Sequence, residues 1–112
     1  MGSVATASSI LLKECLGVTA KEKVLIVCDQ GTLVVAQPVL SAAYETGAEA
    51  VLVQMPVMER HGMEPPDMVA AAMLQGDVAI CCTSKSLTHT EARKKATAKG
   101  VRVASMPGIT VE

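Results

Sequence analysis

Four short apolar runs recur along the chain, at 24–28 (VLIVC), 51–55 (VLVQM), 78–82 (VAICC) and 101–104 (VRVA). Their length and β-branched content predict strands. A stretch with helical spacing precedes each one, at roughly 4–16, 33–46, 66–75 and 88–99. Gly17, Gly47, Gly76 and Gly100 stand between helix and strand in every repeat, where a residue of positive φ closes a helix. Pro65-Pro66 suits a first helical turn, and Thr88 or Ser86 suits the cap of the last helix. Pro38 falls inside the second helical stretch and predicts a kink or a later start.

Strands alternating with helices predict an α/β fold, a three-layer, doubly wound parallel sheet with right-handed crossovers, flavodoxin- or Rossmann-like in type. The first and third runs are uninterrupted, as expected of central strands covered on both faces. Gln54 and Arg102 interrupt the second and fourth. The expected strand order is therefore 2-1-3-4. In such a sheet ligands bind beyond the carboxyl ends of the central pair, where the crossovers leave in opposite directions. That directs attention to the loops at 29–32 and 83–88.

The 112 residues are enough for one domain. Ten basic and eleven acidic side chains give a net charge of -1, so no global basic field exists to hold nucleic acid or an anionic membrane. Tyr44 is the single aromatic residue, which further removes stacking platforms for bases. The apolar runs are far too short to span a bilayer. Cys15, Cys28, Cys81 and Cys82 sit in apolar surroundings with no secretory-signal pattern ahead of them, leading to the expectation of reduced thiols in a cytoplasmic protein. Cys81 and Cys82, adjacent in a strand, face opposite sides and cannot chelate together.

The segment Thr83-Ser84-Lys85-Ser86-Leu87-Thr88-His89-Thr90 is the most hydroxyl-dense of the chain and opens directly into a helix. Its backbone N–H groups, hydroxyls and Lys85 suit a carboxylate or phosphate at the positive helix end. The same residue types also serve as simple caps. His61 and Asp29 belong to the same sheet edge as His89, and Arg93 follows the loop closely enough to hold it or an anionic ligand. No phosphate-loop or dinucleotide fingerprint is present, nor H-E-x-x-H or C-x-x-C. Six of the ten basic residues fall between Lys85 and Arg102, opposed only by Glu91, which reads first as a solvated helix face. Met55, Met58, Met63, Met68 and Met73 surround the second crossover, as core filler or as a contact with another domain or subunit.

Three segments together carry a resemblance: His61-Gly62-Met63-Glu64-Pro65-Pro66, the run from Thr83 to Ala96 containing S-x-T-H-T-x-A-R, and Ala104-Ser105-Met106-Pro107-Gly108-Ile109-Thr110. The chain resembles the amino-terminal domain of the aminopeptidase T (leucyl aminopeptidase, thermophilic metallopeptidase) family along nearly its whole length. The resemblance implies a cytoplasmic, dimeric exopeptidase that uses two divalent metals, cobalt, zinc or magnesium, to hydrolyse the bond after an amino-terminal residue of a peptide substrate. In that family the metal ligands belong to a carboxyl-terminal domain, so it implies neither a catalytic residue nor a metal ligand within this chain. The superfamily is also similar to a ring-cleaving iron dioxygenase acting on dihydroxypyridine.

The last predicted strand is followed by a Met106-Pro107-Gly108 turn and by no helix to cover its edge, an arrangement suited to an exit into another domain. The expectation is a single α/β domain at 1–112, the amino-terminal part or a fragment of a longer protein. Thr83, Ser84, Thr88, His89 and Arg93 are the expected substrate contacts at its cleft edge. The competing readings are a free-standing anion-binding module using the 83–90 loop, and an assembly domain docking through the Met-rich crossover.

Overall fold

A computed structural model describes residues 17–59, 63–83 and 90–105. Its elements are β1 (Lys23–Asp29), α1 (Leu33–Glu45), β2 (Glu49–Met55), α2 (Asp67–Gln75), β3 (Val78–Cys81), α3 (Glu91–Lys99) and β4 (Arg102–Ser105). The four strands form one sheet in the order β2-β1-β3-β4. All neighbours are parallel, with Ile26 beside Leu52 on one side and beside Ile80 on the other. The expected α/β architecture and strand order are what the chain adopts. The expected helix at 4–16, Cys15, and the turn at 106–108 lie outside the described residues.

Side chains alternate across the sheet and divide the core in two. Val24, Ile26, Cys28, Val78, Ile80 and Cys82 face the layer of α1, where Ala36, Val39 and Ala43 meet them. Leu25, Val27, Ala79 and Cys81 face the layer of α2 and α3, against Val69, Met73, Ala92 and Ala96. The right-handed rule explains the division. The crossover from β1 to β2 runs one way along the sheet and the next two run the other, so their helices lie on opposite faces. Gln54 and Arg102 are exposed on the outer strands, while β1 beyond Lys23 and the whole of β3 are buried.

The small residues Ala92 and Ala96 and the alanines of α2 let the helices lie close to the sheet. Met55 and Met73 are buried core filler, whereas Met68 is 86% exposed at the start of α2. Lys94, Lys95 and Lys99 are exposed, and the ion pair on α3 joins Lys94 to Glu91 at 3.6 Å. Lys99 also reaches across to donate to the carbonyl of Leu74, placing a cation at the negative end of α2. Among the described residues no helix is long and apolar enough to cross a membrane.

Several helix boundaries differ from expectation. Pro38 does not delay α1, which begins at Leu33 and continues through it. The proline deprives the Val34 carbonyl of its helical donor, but Val34 is 65% exposed, so the loss falls on the solvent side. Pro66 is the residue before α2, not part of its first turn. Gly17, Gly47 and Gly100 have positive φ, but Gly76 does not; its φ is -96°. Space constrains Gly76 instead, because a Cβ there would approach the Lys23 carbonyl oxygen to 3.2 Å.

At the amino end of the sheet, Arg102 donates to Glu22 at 2.6 Å, and the Lys23 N–H donates to Asp77 at 2.9 Å. The Arg102 hydrogen bond holds the Glu22 carboxyl below the usual range. A carboxyl lowered by folding stabilises the chain above its unfolded pKa, and the contribution disappears as pH falls through the folded value. Both groups are partly exposed, so the effect is below about 1 kcal/mol. Urea midpoints of the wild type and Glu22→Gln are expected to differ at neutral pH and to converge on acidification. A gap that widens on acidification would contradict this.

Candidate functional site

The central pair β1 and β3 send their crossovers to opposite faces, opening a crevice at their carboxyl ends. Among the described residues, the buried polar side chains are Asp29, Thr32, Thr83 and Thr90. All four belong to the loops at that edge. Buried polar groups are costly unless hydrogen-bonded, so their concentration here makes an organised polar wall between two apolar half-cores. Asp29, Thr83 and Thr90 each make further polar interactions besides those described below.

The wall on the β1 side is built by Asp29-Gln30-Gly31-Thr32. Asp29 Oδ1 accepts from the Gly31 N–H at 2.9 Å and lies 3.3 Å from Thr32 Oγ1, which itself accepts from the Asp29 N–H at 3.1 Å. The Thr32 N–H closes the turn on the Asp29 carbonyl at 3.1 Å. Thr32 precedes α1 but does not cap it with its side chain; the hydroxyl is committed to Asp29. Sequence reasoning placed Asp29 on this edge, and the structure shows its carboxylate organising the loop. Beside it, Gln30, Gln54, Met55, Pro56 and Val57 line an open cleft of about 420 Å³.

On the β3 side, Thr83 is fully buried just after the strand, and Arg93 is half-buried in the first turn of α3. Ser84, Thr88 and His89, with Lys85, Ser86 and His61, lie outside the described residues. Thr90 is the cap of α3, its hydroxyl accepting from the Arg93 N–H at 3.2 Å. This corrects the assignment of the cap to Thr88 or Ser86: helical hydrogen bonding starts at Glu91, and Thr90 has the extended backbone a cap requires.

Glu64, noticed in the sequence only as part of a motif, has a structural role here. Its carboxylate accepts from the Glu91 N–H at 2.7 Å and from the Ala92 N–H at 3.1 Å. The first three N–H groups of α3 are thus engaged within the chain, two by Glu64 and one by Thr90. An anion at this helix end would have to displace an internal carboxylate. No spacing rule reveals a cap arriving from 27 residues away; a glutamate before two prolines was the only local mark.

Cys28, Cys81 and Cys82 are free and buried. Cys81 belongs to the half-core of α2 and α3 and Cys82 to that of α1, facing opposite sides as expected. Burial pushes the Cys81 and Cys82 thiols up to about 12, opposed at Cys81 by the charge of Arg93. Burial, then the charge of Asp29, raises Cys28. These thiols stay protonated and do not provide nucleophiles at neutral pH. Iodoacetamide is expected to leave all three unmodified in the native chain and to modify them in urea, as read by mass spectrometry. Native labelling of Cys82 would contradict its placement. Among the described residues, no three or more His, Cys, Asp or Glu gather closely enough to hold a metal.

No family model and no curated protein sequence matches the chain. Its fold has a solved counterpart. The structure of 2,5-dihydroxypyridine dioxygenase from Pseudomonas putida KT2440 matches with a TM-score of 0.77 at 12% sequence identity, over 96% of this chain and 35% of that one. At this identity the likeness is one of fold. The chain spans about a third of the length of that enzyme.

Proposed function

We propose that this chain is the amino-terminal α/β domain of an aminopeptidase T-like, metal-dependent exopeptidase, shaping the substrate cleft or supporting the dimer. The coverage of the fold comparison supports the domain part of this reading. Nearly all of this chain matches about a third of a larger enzyme, which supports a role as one part of such a protein. The sequence segments around Glu64, Thr83–Ala96 and Ala104–Thr110 favour the peptidase type. The reading assigns the metals to a carboxyl-terminal domain. This chain's own share is the polar wall: Asp29 and Thr32 fix one side, Thr83 and Thr90 the other, and Arg93 supplies a positive charge near the crevice.

The test compares the 112-residue chain with a longer protein extended along its source reading frame. The short chain is expected to bind no stoichiometric cobalt, zinc or magnesium by calorimetry and to leave a leucyl anilide intact. The longer protein is expected to hydrolyse it when supplied with metal. Metal-dependent hydrolysis by the short chain would overturn the proposal. The fold neighbour favours a second reading, a domain of a ring-cleaving iron dioxygenase; consumption of 2,5-dihydroxypyridine and oxygen by the iron-loaded longer protein, without peptidase activity, would select it.

A further inference from the structure

The contact between Glu64 and α3 joins two parts of the chain that the crossovers otherwise keep separate. Glu64 ends the connection that leaves β2 at the outer edge of the sheet and reaches α2. Glu91 and Ala92 begin the helix reached from β3 through the 83–90 loop. Glu64, just before α2, and Glu91 and Ala92, at the start of α3, are the described residues that meet here. A single carboxylate, with two hydrogen bonds of 2.7 and 3.1 Å, ties one to the other.

We propose that Glu64 is a clasp coupling the residues just before α2 to the start of α3, so that the two loosen or tighten together. The chemistry suits a reversible fastening. An anionic acceptor on free helical N–H groups is favoured by charge as well as by hydrogen bonding. Glu64 and Glu91 are both exposed, so water can replace the bond to the Glu91 N–H when the clasp opens, while the N–H of buried Ala92 holds the carboxylate in place. The α2–α3 packing below it, through Val69, Met73, Ala92 and Ala96, is apolar and does not depend on it. Opening therefore leaves the half-core intact.

Coupling is reciprocal: whatever disturbs one end must be felt at the other. Hydrogen exchange in four chains tests this: wild type, Glu64→Ala, Thr90→Ala and the double variant, each shown to be folded by a cooperative urea transition. Glu64→Ala is expected to speed exchange at the Glu91 and Ala92 amides roughly five- to tenfold, the size of losing one helix cap, and to speed exchange in the 57–64 peptide as well. Thr90→Ala, which removes the hydroxyl that accepts from the Arg93 N–H, is expected to speed the 57–64 peptide only when Glu64 is present. Glu64→Gln, which keeps an acceptor oxygen but loses the charge, is expected to fall between wild type and alanine. Equal effects of Thr90→Ala in both backgrounds, or a 57–64 peptide indifferent to both substitutions, would overturn the clasp.

Discussion

Ile26→Ala is expected to lower the unfolding free energy by about 3 to 4 kcal/mol, within the range for deleting a fully buried aliphatic side chain. Ile26 is completely buried in central β1, packed with Val24, Cys28, Ala36, Val39 and Ile80. No aromatic ring stands nearby to swing into the space, since the single aromatic side chain, Tyr44, is 57% exposed. A loss of that size is a large share of the ~5 to 15 kcal/mol that holds an ordinary domain. Urea denaturation is the measurement, with Ile26→Val as the graded control at about 0.5 to 1.5 kcal/mol. A cost for Ile26→Ala below that of the valine control would show that this core collapses around the gap.

Asp29→Ala is expected to cost about 1 to 3 kcal/mol, by a different mechanism. The lost carboxylate removes an acceptor for the buried Thr32 hydroxyl, while the Gly31 N–H, at an exposed residue, turns to water; a buried group left without its partner costs about 1 to 3 kcal/mol. Asp29→Asn keeps an acceptor at Oδ1 and is expected to retain most of that stability. Thr32→Val should couple strongly to Asp29→Ala in a double-mutant cycle, because the two side chains share one set of bonds. Additive costs would separate them. In an active longer protein, the same substitutions would move the β1 wall of the crevice.

The strand order was legible because burial on both faces imposes a composition. VLIVC and VAICC carry no polar interruption, while Gln54 and Arg102 can be accommodated only where a strand has an open side. The place of the crevice followed from that order. Its internal wiring did not. The hydroxyls of the 83–90 segment signalled a helix start without identifying which residue performs it, since Ser and Thr are all competent caps and the backbone decides among them. Gly76 matched its neighbours in pattern but answers to the approach of the Lys23 carbonyl, a contact between distant residues.

The sequence by itself determined the alternation of strand and helix, the parallel order 2-1-3-4 and the burial of Cys28, Cys81 and Cys82, because these depend on local periodicity and on how many faces of each strand avoid water. Tertiary structure alone decided that Thr32 serves Asp29 instead of its helix, that Thr90 caps α3, and that Glu64 occupies the end of that helix from a different crossover. Each is a hydrogen bond chosen among competing partners. The choice depends on ångström-scale placement, which hydrophobic patterning does not encode.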